Sequence, residues 1–436
     1  MKARGIAISF ISAWAACLAA HAGIYSGGLD DATNIYDAPV PGFVGPQGDG
    51  KSRLDDGAGG FLNPDNYVNP IFVSWADSVA AYSPASGVVA SWSNPDAALG
   101  TVTGDNWDIV SLGDLSTSQI SSGAVPGSLT LKFSKPIRNR SGADLVVFEN
   151  GFISEGAFGV AGQITGELAS VEVSSDGANF VRFPSWSQAP ARVGAYGTVD
   201  STNVFNLAGK HVNASGECWG TPFDLSQLFS DPLVANGTVD LNNINYVRMV
   251  DIPGDGTFKD SLGNPIFDAW LTYGSGGFDL EALGAISIDM TFAEWATQRN
   301  LAGANAEAAS DPDADGLPNL LEYAFARLPD ANDSIDPPVK LEVSGNRLRI
   351  TFPRDERAMD LVYEVQASDA LSAWTTIAIS QNGQPVAGTN GYAPEITESS
   401  AGTIASVGLI RKVGVTDVVD LSAKNRRFLR VRVVKP

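Results

Sequence analysis

Asp311, Asp313 and Asp315 stand at alternate positions, followed at once by Gly316 and seven residues later by Glu322. Carboxylates this close repel one another unless a cation gathers them. The twelve residues Asp311-Pro312-Asp313-Ala314-Asp315-Gly316-Leu317-Pro318-Asn319-Leu320-Leu321-Glu322 satisfy every diagnostic position of an EF-hand loop. Asp311, Asp313 and Asp315 supply carboxylates at positions 1, 3 and 5, and Gly316 permits the sharp turn at 6. Leu317 offers its backbone carbonyl at 7, Asn319 occupies the often water-mediated position 9, and Glu322 can bind with both oxygens at 12. The expected ion is Ca2+, which prefers six to eight hard oxygen ligands. Its expected role is structural, because extracellular modules of this kind bind at roughly 0.1 to 1 mM and stay filled at ambient calcium.

A second acidic group, Asp251, Asp255, Asp260, Asp268 and Asp279, falls within roughly thirty residues that are also rich in glycine. Glycine lets loop backbone curl so that carboxylates and carbonyls converge, and a second calcium site is expected there. Trp186, Trp219, Trp270 and Tyr273 lie in loop-like sequence, where aromatic rings serve sandwich proteins as platforms for sugars. With Glu149, Asn150 and His211, the residues Trp219, Trp270 and Tyr273 form the expected ligand-binding set. His211 is the last histidine of the chain and has no second His or Cys at metal-ligand spacing, so it reads as structural or as a polar ligand contact. Glu149, Glu155 and Glu167 offer the carboxylate pair that glycoside hydrolysis needs, although sequence cannot give their separation.

The elements that must position these residues are mostly strands. Ser128-Leu129-Thr130-Leu131-Lys132-Phe133 and Asp144-Leu145-Val146-Val147-Phe148 are short runs bounded by turn residues, and Ser170 to Phe183 reads as a hairpin turning at Asp176-Gly177. A jelly-roll-like sandwich is expected over residues 23–290. Between 291 and 330 the period becomes helical, through Phe292, Trp295, Ala296 and then Leu320, Leu321, Tyr323, Ala324 and Phe325. This predicts a short helical calcium-binding spacer. Residues 335–436 alternate again, from the hairpin at Ser344-Gly345-Asn346 to the closing Arg427-Phe428-Leu429-Arg430-Val431-Arg432-Val433, and predict a small β-sandwich. The fold class is therefore mainly β. From Arg411 onward the strands carry a basic strip, expected to be a solvated strand face, with docking on an acidic polysaccharide or another envelope component as the alternative.

Export is expected from the N-terminus, where Lys2 and Arg4 precede an apolar stretch and Ala20-His21-Ala22 offers a cleavage site after Ala22. No later stretch approaches the roughly 20 apolar residues of a membrane span. Loss of residues 1–22 leaves 26 basic against 49 acidic residues and one cysteine, Cys218, so no internal disulfide can form. So negative a chain repels nucleic acid and suits divalent cations and neutral ligands.

Phe292-Ala293-Glu294-Trp295 and the loop Asp311 to Glu322 resemble the dockerin-like or thrombospondin type 3-like calcium segment of exported proteins in verrucomicrobial and related bacteria. Tyr363-Glu364-Val365-Gln366-Ala367-Ser368-Asp369, Trp374-Thr375-Thr376 and the closing strand are similar to the β module that accompanies it. A dockerin duplicates its loop and this chain does not, which favours a calcium-bound spacer over cohesin docking. Between Phe72 and Ile288, Gly142 to Phe152, Ala169 to Gly177, Leu207 to His211, Gly220 to Leu225 and Gly276 to Leu280 are similar to blocks of a family of bacterial "cell surface proteins". That resemblance implies location more than activity. The leading expectation is a secreted, calcium-stabilised, non-catalytic surface protein binding a glycan or small ligand. The alternatives are capture of a corrinoid-like cofactor for an outer-membrane transporter, a structural envelope component, or a carboxylate-pair glycosidase.

Overall fold

The computed structural model describes residues 38–157, 159–332, 334–400, 409–424 and 426–436, and the expected leader, 1–22, lies outside them. The chain is mainly β, and every pair of neighbouring strands in its sheets is antiparallel.

Two sheets face each other in the larger unit. One runs Val40–Pro41, Trp219–Phe223, Leu145–Glu149, Asp279–Ala285 and Ser74–Trp75, with Val110–Ser111 paired to the start of Asp279–Ala285. The other runs Val181–Arg182, Ala169–Ser174, Ile244–Asp251, Ser128–Ile137 and Ser78–Ser83. The chain passes repeatedly from one sheet to the other, as in a jelly roll. Between the sheets Leu145, Val147, Leu280 and Leu283 pack against Leu129, Leu131, Phe133, Val171, Val247 and Met249. The strands Leu145–Glu149 and Asp279–Ala285 are buried throughout, because the outward side chains Val146, Phe148 and Ala282 are covered in turn by Val40, Phe43, Ile71 and Phe72. Double coverage explains the apolar run Leu145-Val146-Val147-Phe148, which lacks alternation. The Asp176-Gly177 hairpin forms as expected, with Glu172 opposite Arg182 and Gly177 at φ +77°.

The C-terminal unit is a second sandwich of two four-stranded sheets. They are Lys340–Ser344, Arg347–Asp355, Ile410–Asp420, Glu395–Ser400, and Ala387–Gly388, Thr375–Gln381, Val362–Ser368, Phe428–Val434. The helical segment differs from the expected spacer, because it is built into this sandwich. Phe292, Trp295, Tyr323 and Phe325 share one core with Ile350, Phe352, Tyr363, Val365 and Val413. Thr291 and Glu294 form a capping box for the helix Phe292–Gln298, and the Tyr323 hydroxyl donates to the Met290 carbonyl at 2.7 Å. The Tyr363 hydroxyl donates in turn to the Ala324 carbonyl at 2.7 Å. A helix of seven residues such as Asn319–Phe325 is too short to persist alone in water, so its apolar face must find a partner.

Four of the eight cations of the basic strip are paired within the sandwich. Arg427 pairs with Asp417 and Asp369, Lys424 with Asp369, Arg432 with Glu364 and Arg411 with Glu356. Chain folding brings carboxylates beside these four cations that the local sequence does not show. The two sandwiches also touch: the Arg357 guanidinium, held by Asp355, donates to the Ile71 carbonyl at 2.9 Å, and Gln298 donates to the Val73 carbonyl at 2.6 Å.

Trp295 is 3% exposed in the shared core. Trp295→Ala is expected to destabilise the C-terminal sandwich by about 3–5 kcal/mol. In guanidinium unfolding, helix and strand signals of this unit then shift together, whereas a free-standing spacer would lose only its helical signal.

Candidate functional site

Local backbone geometry builds the Asp311 loop. Ala314 and Gly316 take left-handed conformations, φ +59° and +95°, and the chain between them curls inward. The Asp315 amide then donates to Asp311 Oδ1 and Asp313 Oδ1, both at 3.2 Å, and the Gly316 amide donates to Asp311 Oδ2 at 2.9 Å. Leu317 donates to Asp315 Oδ1 at 2.7 Å. Carboxylate oxygens of Asp311, Asp313 and Asp315 come to lie within 4.8 Å of one another, the only such trio among the described residues. Burial, followed by the charges of Asp315 and Asp311, holds the Asp313 carboxyl above its ordinary range despite an opposing backbone hydrogen bond.

Behind the trio stand the loop's later positions. Asn319 is fully buried, its side-chain amide donating to the Asn305 and Glu307 carbonyls, while Oδ1 accepts no hydrogen bond. Glu322, 1% exposed, lies in the first turn of Asn319–Phe325. A converged trio, an orphan amide oxygen and a buried carboxylate suit a hard divalent cation, with Leu317 placed to add its carbonyl.

The other expected site residues do not form one face. Glu149 and His211 are buried at 1% and 0% exposure, and burial, aided by the Lys210 charge, pushes the His211 imidazole well below its ordinary range. Trp219 donates its indole N–H to Glu217 Oε2, with its ring against Gly50, where no Cβ would fit. Trp270 donates to the Leu115 carbonyl and lies under the Arg192 guanidinium, 5.1 Å from its ring centre. Tyr273 is exposed. Asn150 reaches the Asn106 carbonyl at 3.4 Å.

The expected second acidic group also divides. Asp255 pairs with Arg192 and caps its own turn at Thr257. Asp260 spends both oxygens on the amides of Ser187, Leu262 and Asn264. Asp251, Asp268 and Asp279 turn inward instead, where they meet Glu149, Glu167 and Asp114.

An aromatic feature that sequence reasoning did not single out is exposed beside these loops. Trp92 and Trp107 stack with ring centres 5.5 Å apart and planes 20° from parallel, and Trp107 is 76% exposed. Next to Trp107, Asn106 exchanges hydrogen bonds with Ser215, which lines a cavity of about 470 Å³ with Phe152, Ile153, Glu155 and Glu217. Trp92 ends the single 3-10 turn Ala90–Trp92 and Trp107 lies in a loop turn, both too short for periodicity to distinguish a surface ring from a core ring.

Asp313→Asn with Glu322→Gln is expected to abolish the rise in melting temperature that calcium gives the C-terminal sandwich, read by calorimetry with calcium and with chelator. Because these ligands must be deprotonated and Asp313 is held above its ordinary range, calcium affinity at this loop is expected to weaken as pH is lowered toward the carboxylate range, read by titration calorimetry at each pH.

A scan against protein-family models finds no match for this chain, and a search of curated proteins finds none either.

Proposed function

We propose that this chain is a calcium-stabilised, non-catalytic protein of the bacterial cell surface that binds a neutral glycan. The observation that carries the ligand reading is the exposed Trp107 ring, stacked on the half-buried Trp92, beside the cavity lined by Phe152, Glu155, Ser215 and Glu217. Flat indole faces receive the C–H face of a sugar ring, and nearby amide, hydroxyl and carboxylate groups receive its hydroxyls. The net charge of −21 and the two glutamates of the cavity repel anionic polymers, so a neutral sugar suits the groove.

Calcium is the ion that the Asp311 loop suits by ligand type and spacing, and its role is to hold the helix Asn319–Phe325 against the C-terminal sandwich. The non-catalytic reading is supported by the burial of His211 and Glu149, which keeps them from a substrate in the groove. Surface location rests on the leader-like N-terminus and on the resemblances drawn from sequence.

The test is binding to a printed array of neutral polysaccharides in calcium buffer. Trp107→Ala is expected to weaken binding about tenfold or more, equivalent to roughly 1.4 kcal/mol. Trp270→Ala, already covered by Arg192, is expected to change it little. Absence of neutral-glycan binding, or retention of it in Trp107→Ala, contradicts this reading.

A further inference from the structure

Six carboxylates converge at one end of the larger sandwich from widely separated parts of the chain. Glu149, Asp251, Asp268 and Asp279 are 1%, 2%, 1% and 6% exposed, and Glu167 and Asp114 are half-buried beside them. The strands Leu145–Glu149 and Asp279–Ala285 pair directly, and Ala169 stands opposite Asp251. The loop 270–278 ties the group together. Thr272 bonds both Asp114 and Glu167, the Gly277 amide donates to Glu167 at 2.9 Å, and the Phe278 amide donates to Asp251 at 2.8 Å. The Leu168 amide donates to Asp268 at 2.8 Å.

The charges that act most strongly on Glu149, Glu167, Asp251 and Asp268 are those of other carboxylates, whereas Asp255 close by has Arg192. Four oxygens of the group, Glu149 Oε2, Asp251 Oδ2, Asp279 Oδ1 and Asp114 Oδ1, are buried without a hydrogen-bond partner. Buried negative charge without a counter-charge is costly, and the fold can meet that cost with protons or with a cation. Protons fit poorly here. A shared proton joins only two oxygens, whereas one cation gathers several of these carboxylates at once.

The surroundings of Glu149 fit a cation better. A Cβ at Gly151 would lie 2.6 Å from Glu149 Oε2 and 3.1 Å from the Thr165 carbonyl oxygen. One at Gly166 would lie 3.4 Å from Glu149 Oε2 and 3.6 Å from the Gly209 carbonyl oxygen. Glycine at both positions leaves open the space beside an orphan carboxylate that backbone carbonyls also border. Hard cations of calcium's size take this mixture of carboxylate and carbonyl oxygens at about 2.3–2.6 Å.

We propose that this cluster is a second divalent-cation site, of Ca2+ type, with Glu149, Asp251 and Asp279 as its core ligands and Glu167 and Asp268 completing it. Its oxygens stand further apart than those of the Asp311 loop, where three carboxylates already lie within 4.8 Å, so binding draws them inward. Gly274, Gly276 and Gly277 give the loop 270–278 the freedom to move with them, and the ion then fixes the loop that carries Trp270 and Tyr273. This site stands independently of the glycan groove.

Calorimetric titration of the full chain with CaCl2 after chelator treatment tests it. The unaltered protein is expected to bind two ions, Asp313→Asn with Glu322→Gln one, and Asp279→Asn with Glu149→Gln one. In the Asp313→Asn, Glu322→Gln protein, calcium is expected still to raise the melting temperature of the larger sandwich, followed by near-ultraviolet circular dichroism. Glu149→Gln alone is expected to raise the chelator melting temperature by relieving repulsion and to shrink the calcium increment, a pair of opposite shifts that impaired folding would not give. One ion in the unaltered protein, or no calcium response of the larger sandwich in the Asp313→Asn, Glu322→Gln background, overturns the proposal.

Discussion

Negative charge gathered without positive partners is the constraint around which this molecule is organised. Along the C-terminal strands Arg427 and Arg432 find Asp417 and Glu364. The Asp311 loop is different: three carboxylates are pointed at one another by a backbone that turns through left-handed residues at Ala314 and Gly316. Such an arrangement is costly without a counter-charge, and under the proposed reading ion binding and local folding would be one equilibrium.

The helix Asn319–Phe325 carries that equilibrium into the rest of the molecule. It begins at the last ligand positions of the loop and immediately contributes Tyr323, Ala324 and Phe325 to the C-terminal core. Tyr323 also reaches back to Met290, where the larger sandwich hands over to the helical segment. A cation in the loop thus acts on the core of the second sandwich and, through Arg357 and Gln298, on its seat against the first.

Much of this was legible in the sequence where signals are local. The calcium-type loop has fixed spacing, the Asp176-Gly177 and Gly345-Asn346 hairpins have turn chemistry, and the helical period from Phe292 to Phe325 stands out against strands. The illegible part depends on contacts across the chain. Glu149 ends a strand buried on both faces, and among the groups around it are Val212 and Asp279, which lie far away in sequence. Asp255 and Asp260 have the same local surroundings as Asp251 and Asp268. They leave the inward cluster because Arg192 and the amides of Leu262 and Asn264 claim them. Glu167 and Asp114 join it only through strand pairing and the Thr272 bridge. The helical segment reads as a spacer because its partner strands begin twenty or more residues later, and sequence period does not show what a face packs against.

The central claim is that cation binding at the Asp311 loop consolidates the C-terminal core. Hydrogen exchange compares the unaltered protein with Asp313→Asn, Glu322→Gln in the same calcium buffer, so that the larger sandwich sees identical conditions in both. The account requires faster exchange in 292–298 and 319–325 and in the facing strands 347–355 and 362–368, with strands 145–149 and 169–174 unchanged. Equal protection of the C-terminal strands in the two proteins would contradict it.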